Sequence, residues 1–285
     1  MKIIDAHLHY SNIESFRRTA NEISRVDYSP EGLKTEFLSS NIVAGIGMGV
    51  VEESLGAFPD FSSANPMTLD LDEETPSFLY ECVGINPVKL ENESSTELMK
   101  IERELSKDRV VGIKIYAGYY HYHVYHKIYQ PVYELAKAYK LPVVIHCGDT
   151  FSERGLLKYS HPLNVDEIAV ANRGVNFIIS HLGDPWVMDT AELVLKNSNV
   201  FADLSGLIVG DINKIESYYT KPLLMDHFKR AILYADNYSK FLFGTDWPLV
   251  PIGAYMSFVK NLVPEEYEED IFYNNALRVF TKINL

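Results

Sequence analysis

The sequence predicts a (β/α)8 fold, a closed barrel of eight parallel strands with helices between them. Three observations predict it. Eight short, β-branched segments recur along the chain, amphipathic stretches separate most of them, and the length of 285 residues suits one such barrel. Length alone would also admit two domains of about 140 residues each. The regular alternation favours one domain over 1–285. An open doubly wound sheet is the competing architecture, but no glycine-rich turn follows the first segment.

The strands are read at Lys2–His9, Ile42–Val50, Phe78–Ile85, Val110–Ala117, Pro142–Cys147, Asn176–His181, Val200–Leu204 and Phe241–Thr245. Helices are clearest late in the chain. Pro131–Tyr139 spaces Val132, Leu135, Ala136 and Tyr139 helically, and Pro185 is read as opening a helix carrying Ala191, Val194 and Leu195. A third helix starts near Pro222, with Leu223, Phe228, Ile232 and Tyr234. Proline suits a first helical turn because its φ is already helical and its missing N–H would have no partner there. Pro264–Lys282, with Tyr267, Ile271, Leu277 and Phe280, is expected to close the barrel. The extended loop after strand two, Val51–Ser77, holds Pro59, Pro66 and Pro76 among many acidic residues. Such an insertion is either a lid over the active site or a passive surface loop.

Apolar residues make up 47% of the chain, enough for a large core, yet no apolar run approaches the roughly 18 residues of a membrane span. Asp5 stands too early for a signal peptide. The two cysteines, Cys82 and Cys147, offer no disulfide framework, which suits a reducing cytoplasm. A formal net charge of −13 argues against general nucleic-acid binding, which needs a basic face. The expected partner is therefore a small-molecule substrate, with neither nucleic acid nor membrane, and a homo-oligomer is compatible with everything above.

The chemistry is carried by polar residues at strand ends. His7 and His9 end the first strand, and residues i and i+2 leave the same face of a strand, so both imidazoles can grip one ion. His146 ends the fifth strand, His181 the sixth and Asp246 the eighth, each after an apolar run. The C-terminal face of a barrel is where its sites are built. Five buried metal-type side chains there, without a cation, would form a costly polar cluster.

In this order, Asp5-Ala6-His7-Leu8-His9, Gly112-Ile113-Lys114-Ile115-Tyr116, Pro131-Val132-Tyr133-Glu134-Leu135-Ala136, Pro142-Val143-Val144-Ile145-His146, Ser180-His181-Leu182-Gly183, Gly244-Thr245-Asp246-Trp247-Pro248 and Asn275-Ala276-Leu277 resemble the amidohydrolase superfamily, in its amidohydrolase-related branch. The resemblance covers nearly the whole chain and implies a distorted TIM barrel. It implies that His7, His9, His146 and Asp246 bind a divalent metal, and that His181 binds a second metal or polarises the substrate. Imidazole and carboxylate ligands suit zinc, with manganese or iron as alternatives. Water activated by such an ion has a pKa near about 7 in a zinc site. Asp246 would take the proton of that water and hand it to the leaving group, and His181 would stabilise the oxyanion as a hydrogen-bond donor. One ion is favoured over two, because Lys114 must be carboxylated before it could bridge two metals. Otherwise Lys114 forms a structural ion pair or binds substrate.

The implied activity is hydrolysis of a C–N or C–O bond at a carbonyl: an amide, lactone or ester. The alternatives are decarboxylation or hydration of a small carboxylic acid, with Lys114, Arg154 or Arg173 as the cation, and a non-catalytic ligand-binding barrel. Tyr116, Tyr119 and Trp247 are candidate pocket walls. His121 and His123 form a second His-x-His in an aromatic loop and match no metal position. Asp149, Asp184 and Asp203 follow strands, where they either support the ligand histidines or cap loops. His161 and His227 lie away from strand ends and read as surface or packing residues.

Overall fold

The computed structural model describes residues 1–10, 14–49 and 77–285. The expected lid, apart from Ser77, lies outside the described residues. Eight parallel strands form one sheet in sequence order: β1 (Ile3–Leu8), β2 (Ile42–Met48), β3 (Leu79–Gly84), β4 (Val110–Ile115), β5 (Val143–Ile145), β6 (Phe177–Ile179), β7 (Val200–Asp203) and β8 (Phe241–Leu242). Every strand expected from the sequence is present, each shorter than read at one or both ends. The last strand meets the first: Ala6 N donates to Phe243 O at 2.9 Å, Asp246 N donates to His7 O at 2.8 Å, and Leu8 bridges Trp247 in parallel. The sheet is thereby nearly closed into a barrel.

Alternation along the strands sorts the core into two layers. Val143, Ile145, Phe177 and Ile179 pack outward with the helices, while Val144, Ile178, Phe201 and Leu242 pack inside the barrel. This follows from the two-residue period of a strand. It also sets the phase of what comes next. His146 and Asp203 lie two residues beyond the inward-facing Val144 and Phe201, so each continues an inward row. Cys147 falls in the outward layer and Cys82 in the inner one, and both are free and buried.

The helices bury narrower faces than their sequences suggest. Gln130–Tyr139 carries Pro131 in its first turn, as expected. The helix after Pro185 runs Val187–Lys196 and buries Val187, Ala191, Leu193 and Val194, while Leu195 is exposed. Pro222–Ala235 buries Phe228 and Ile232 but exposes Leu223 and Tyr234. A helix stripe about 100° wide touches the sheet, and residues off it face water whatever their type. The C-terminal segment plugs the barrel. Ala276, Val279 and Phe280 join the inner layer beside Ile4, Val111 and Leu242. Lys282 Nζ donates to Leu105 O at 2.6 Å and Lys107 O at 3.1 Å, and Asn275 Nδ2 donates to Phe241 O at 2.8 Å. These contacts put the plug at the N-terminal ends of the strands, opposite the histidines. Among the described residues, no helix is long and apolar enough to cross a membrane.

Candidate active site

The C-terminal mouth gathers His7, His9, His146, His181 and Asp246. The His7 and His9 rings lie 5.4 Å apart, the His7 and His181 rings 4.9 Å, and the His146 and His181 rings 5.0 Å. Asp246 sits among them, with Oδ1 3.0 Å from His9 Nε2 and 3.4 Å from His7 Nε2, and Oδ2 3.9 Å from His181 Nδ1. Two turns redirect side chains here. His181 and Asp246 have φ of 59° and 62°, left-handed values that non-glycine residues adopt at a cost of about 1–3 kcal/mol. At His181 the turn matters most. Ser180 is the residue in phase with inward Ile178, so a continuing strand would point His181 outward.

Ligand-type atoms come within 4.8 Å of one another in two groups, His7 with His9 and Asp246, and His7 with His181 and Asp203. His7 Nε2, His9 Nδ1 and Asp246 Oδ1 are buried without a hydrogen-bond partner. Although Asp246 Oδ1 is close to His9 Nε2, the two are misaligned for a hydrogen bond. Such orphaned atoms cost about 1–3 kcal/mol each. His7, His9 and Asp246 are nitrogen and oxygen donors facing one point, and that donor set fits a divalent cation. His146 reaches the same mouth but belongs to neither group. Its Nε2 lies 2.9 Å from Asp149 O, an acceptor, so Nε2 carries the proton and Nδ1 keeps the lone pair.

The supporting shell is built from β1, β7 and the turn after β8. Asp203 Oδ2 lies 2.9 Å from His7 Nδ1, and Asp203 Oδ1 accepts from His181 N at 3.0 Å. The Asp5 carboxylate accepts from Thr245 Oγ1 at 2.6 Å, Thr245 N at 3.0 Å and His7 N at 3.2 Å. It therefore ties the two metal-type strand ends together. Burial pushes the Asp5 carboxyl up to about 7 against those three donors. Burial pulls His7 down to about 3, and it also lowers His9 and His146. For Asp203 and Asp246, burial alone would raise the carboxyl, but the neighbouring histidines outweigh it and hold both well below the usual carboxylate range. The consistent state at neutral pH is ionised Asp203 and Asp246 among neutral His7, His9 and His146, the form in which imidazole binds metal.

Lys114 is fully buried on β4, its Nζ donating to Ser180 Oγ at 2.8 Å and lying 5.1 Å from the centre of the Tyr116 ring. Burial lowers it to about 8, with Asp203 and Asp246 opposing the shift. It is still a cation at neutral pH. Tyr119 meets the His146 ring edge-on at 4.9 Å, and Tyr116 stacks beyond it at 6.4 Å. Both tyrosines line the mouth. Trp247 does not: its indole has no exposure, and Nε1 donates to Glu36 Oε1 at 3.0 Å, on the helix Pro30–Ser39. Arg173 is also elsewhere, with NH1 on Asn197 and Asn199 before β7. His121 stacks on Tyr159, and His123 packs against Tyr125 and Tyr159. Among the described residues neither joins a metal-type group. His161 packs on Trp186, and His227 pairs with Asp184 at 2.9 Å.

Sequence reasoning missed Ser205 and Gly206. Gly206 has φ 62°, and a Cβ there would stand 2.7 Å from His181 Nδ1 and 2.8 Å from Asp246 Oδ2. Asp203 and Ser205, followed by Gly206 at the end of an apolar strand, were the available signal.

A barrel with its polar side chains converging at the strand C-termini is the architecture of an enzyme. The family model described as Amidohydrolase matches residues 4–282, and the chain belongs to that family. Among curated proteins, none matches the sequence significantly. Solved structures share the fold over nearly full length. A TIM-barrel protein from Bordetella bronchiseptica is 16% identical, covers 99% of each chain and has a TM-score of 0.70. A 2,6-dihydroxybenzoate decarboxylase from Rhizobium is 14% identical, with 99% of each chain covered and a TM-score of 0.64. A protein from Acinetobacter baumannii described as a probable 2-pyrone-4,6-dicarboxylic acid hydrolase, with citric acid bound, is 14% identical. That match covers 99% of this chain and 100% of the other, with a TM-score of 0.55.

Proposed function

We propose that this enzyme is a metal-dependent hydrolase acting on a C–N or C–O bond at a carbonyl, in an amide, lactone or ester. His7, His9, His146 and Asp246 would hold one divalent ion, zinc first and manganese or iron otherwise. The observation that carries this reading is the pair of orphaned atoms, His7 Nε2 and Asp246 Oδ1, buried 3.4 Å apart beside His9. A divalent ion bound there supplies Lewis acidity, polarising the carbonyl and acidifying water. His7 and His9 stay neutral and offer lone pairs, and His146 offers Nδ1. Asp246, ionised and reached by three histidines, accepts the proton of the attacking water and returns it to the leaving group. Tyr116 and Tyr119 form the wall against which a planar substrate would rest. The single 285-residue domain, its two free cysteines and its acidic surface support a cytoplasmic enzyme for a small-molecule substrate.

A second reading, decarboxylation or hydration of a small carboxylic acid, is favoured by Lys114. A buried cation beside the site would suit a substrate carboxylate, and a decarboxylase is among the structures of this fold. Chelation followed by titration with zinc tests both, on lactones, esters, amides and aromatic acids. Activity should vanish without metal and return at about one equivalent, and the product separates hydrolysis from loss of carbon dioxide. Turnover by metal-free protein would overturn the metal-dependent reading. A requirement for two equivalents, with a carboxylated Lys114 between two ions, would overturn the single-ion site.

A further inference from the structure

The end of β7 and the loop after it place three polar groups in line behind His181. Ser205 Oγ lies 2.5 Å from Asp203 Oδ1 and 2.9 Å from His181 Nδ1, and Ser205 O lies 3.2 Å from the same Nδ1. Ser205 and Asp203 are both buried. An ionised carboxylate can only accept, so the Ser205 hydroxyl proton goes to Asp203. Ser205 Oγ is then left as an acceptor towards His181. The Ser205 carbonyl is an acceptor as well. Both partners of His181 Nδ1 therefore require a proton on that nitrogen.

We infer that Asp203 and Ser205 are positioning residues that fix neutral His181 as its Nδ1–H tautomer, leaving Nε2 as a lone pair. Asp203 Oδ2 does the same for His7, whose Nδ1 lies 2.9 Å away, so one carboxylate sets the tautomers of two histidines. The chain of donors runs from His181 Nδ1–H to Ser205 Oγ–H to the Asp203 carboxylate, which His7 Nδ1–H reaches from the other side. Nothing in it leaves a proton on His181 Nε2. Neutral His181 is thus a proton acceptor or a cation ligand. It donates from Nε2 only as the imidazolium. Gly206 keeps the geometry open, since a Cβ there would collide with His181 Nδ1.

The inference concerns the site of the proposed function and rests on that reading only for its catalytic consequence. The test uses full-length, zinc-treated protein labelled with ¹⁵N at histidine. Long-range proton–nitrogen spectra report which ring nitrogen carries the proton, and His181→Gln identifies the His181 signals by their loss. The expected spectrum has a protonated Nδ1 and a bare Nε2. A proton on Nε2 with a bare Nδ1 would overturn the inference. Ser205→Ala removes the nearer acceptor and leaves only the backbone carbonyl at 3.2 Å, so the signals should shift from the single-tautomer pattern part of the way towards averaging, while zinc content per chain stays at the wild-type value. An unchanged pattern would show that the hydroxyl plays no part. If the protein takes up no zinc, the proposed function fails, yet the tautomer is still read on the same spectra.

Discussion

The two ends of this barrel are equally buried and opposite in chemistry. At the N-terminal end Ala276, Val279 and Phe280 fill the interior with apolar contacts. At the C-terminal end the same enclosure holds His7, His9, Lys114, Asp203 and Asp246, with three polar atoms unpartnered. Burial lowers the free energy at the first end and raises it at the second. The plug is the part of the barrel that folding needs. The mouth is kept in spite of its cost to folding, which is the expected pattern where a site is organised for chemistry.

The largest effect should come at the mouth. Asp246→Asn keeps the shape but cannot accept a proton, and activity should fall by roughly 10²–10⁴-fold. The metal-free protein should lose less stability than a core truncation costs, because the amide replaces a carboxylate that the neighbouring histidines favour and burial opposes. Near-normal turnover would remove Asp246 from the role of base, and a large loss of metal-free stability would erase the contrast between the two ends.

The matching change at the other end is Phe280→Ala. Truncating this buried ring should cost about 3–5 kcal/mol in denaturant unfolding and leave zinc stoichiometry unchanged. A smaller effect is expected from Gly206→Ala. Its Cβ would press on both His181 and Asp246, so zinc affinity should drop while global stability changes by only about 1–3 kcal/mol. Wild-type zinc affinity in that variant would mean that the two side chains can move apart freely.

The smallest effect is on the pH dependence of metal-free stability. Burial lowers His7, His9 and His146 from 6.5 in the folded chain, His7 to about 3. The unfolded chain therefore binds more protons as the pH drops, so stability is full above about 6.5 and is lost as the pH falls towards 3. Asp203 and Asp246 add a loss in the same direction below 3.8. Asp5, raised to about 7, works the other way: its stabilising contribution is present below 3.8 and is lost as the pH rises to 7. Within the mouth, the three histidines and the two depressed carboxylates outnumber Asp5, so the site contributes a net fall on the acid side. His9→Gln should flatten that fall, and a steeper one would contradict the assignment of His9 as a buried neutral imidazole.

Much of this molecule could be read from the chain by itself. Eight strands were visible because β-branched runs and the helices between them obey local periodicities, and His146 and Asp203 inherit the inward phase of Val144 and Phe201. The ends of those strands could be named as a site because a closed barrel brings its strand termini together. Tertiary structure alone decided the rest. His181 reaches the site through a left-handed turn that no alternation rule gives. Trp247, adjacent to Asp246 in sequence, turns instead to Glu36 on a helix more than two hundred residues away in the chain. Leu195, Leu223 and Tyr234 face water because a helix touches the sheet along one stripe only. Ser205 matters through a chain of hydrogen bonds to Asp203 and His181, and the direction of each proton in that chain depends on which acceptors the fold places within reach. Periodicity is a property of neighbouring residues, whereas turn geometry and proton placement depend on partners that only the folded barrel brings together.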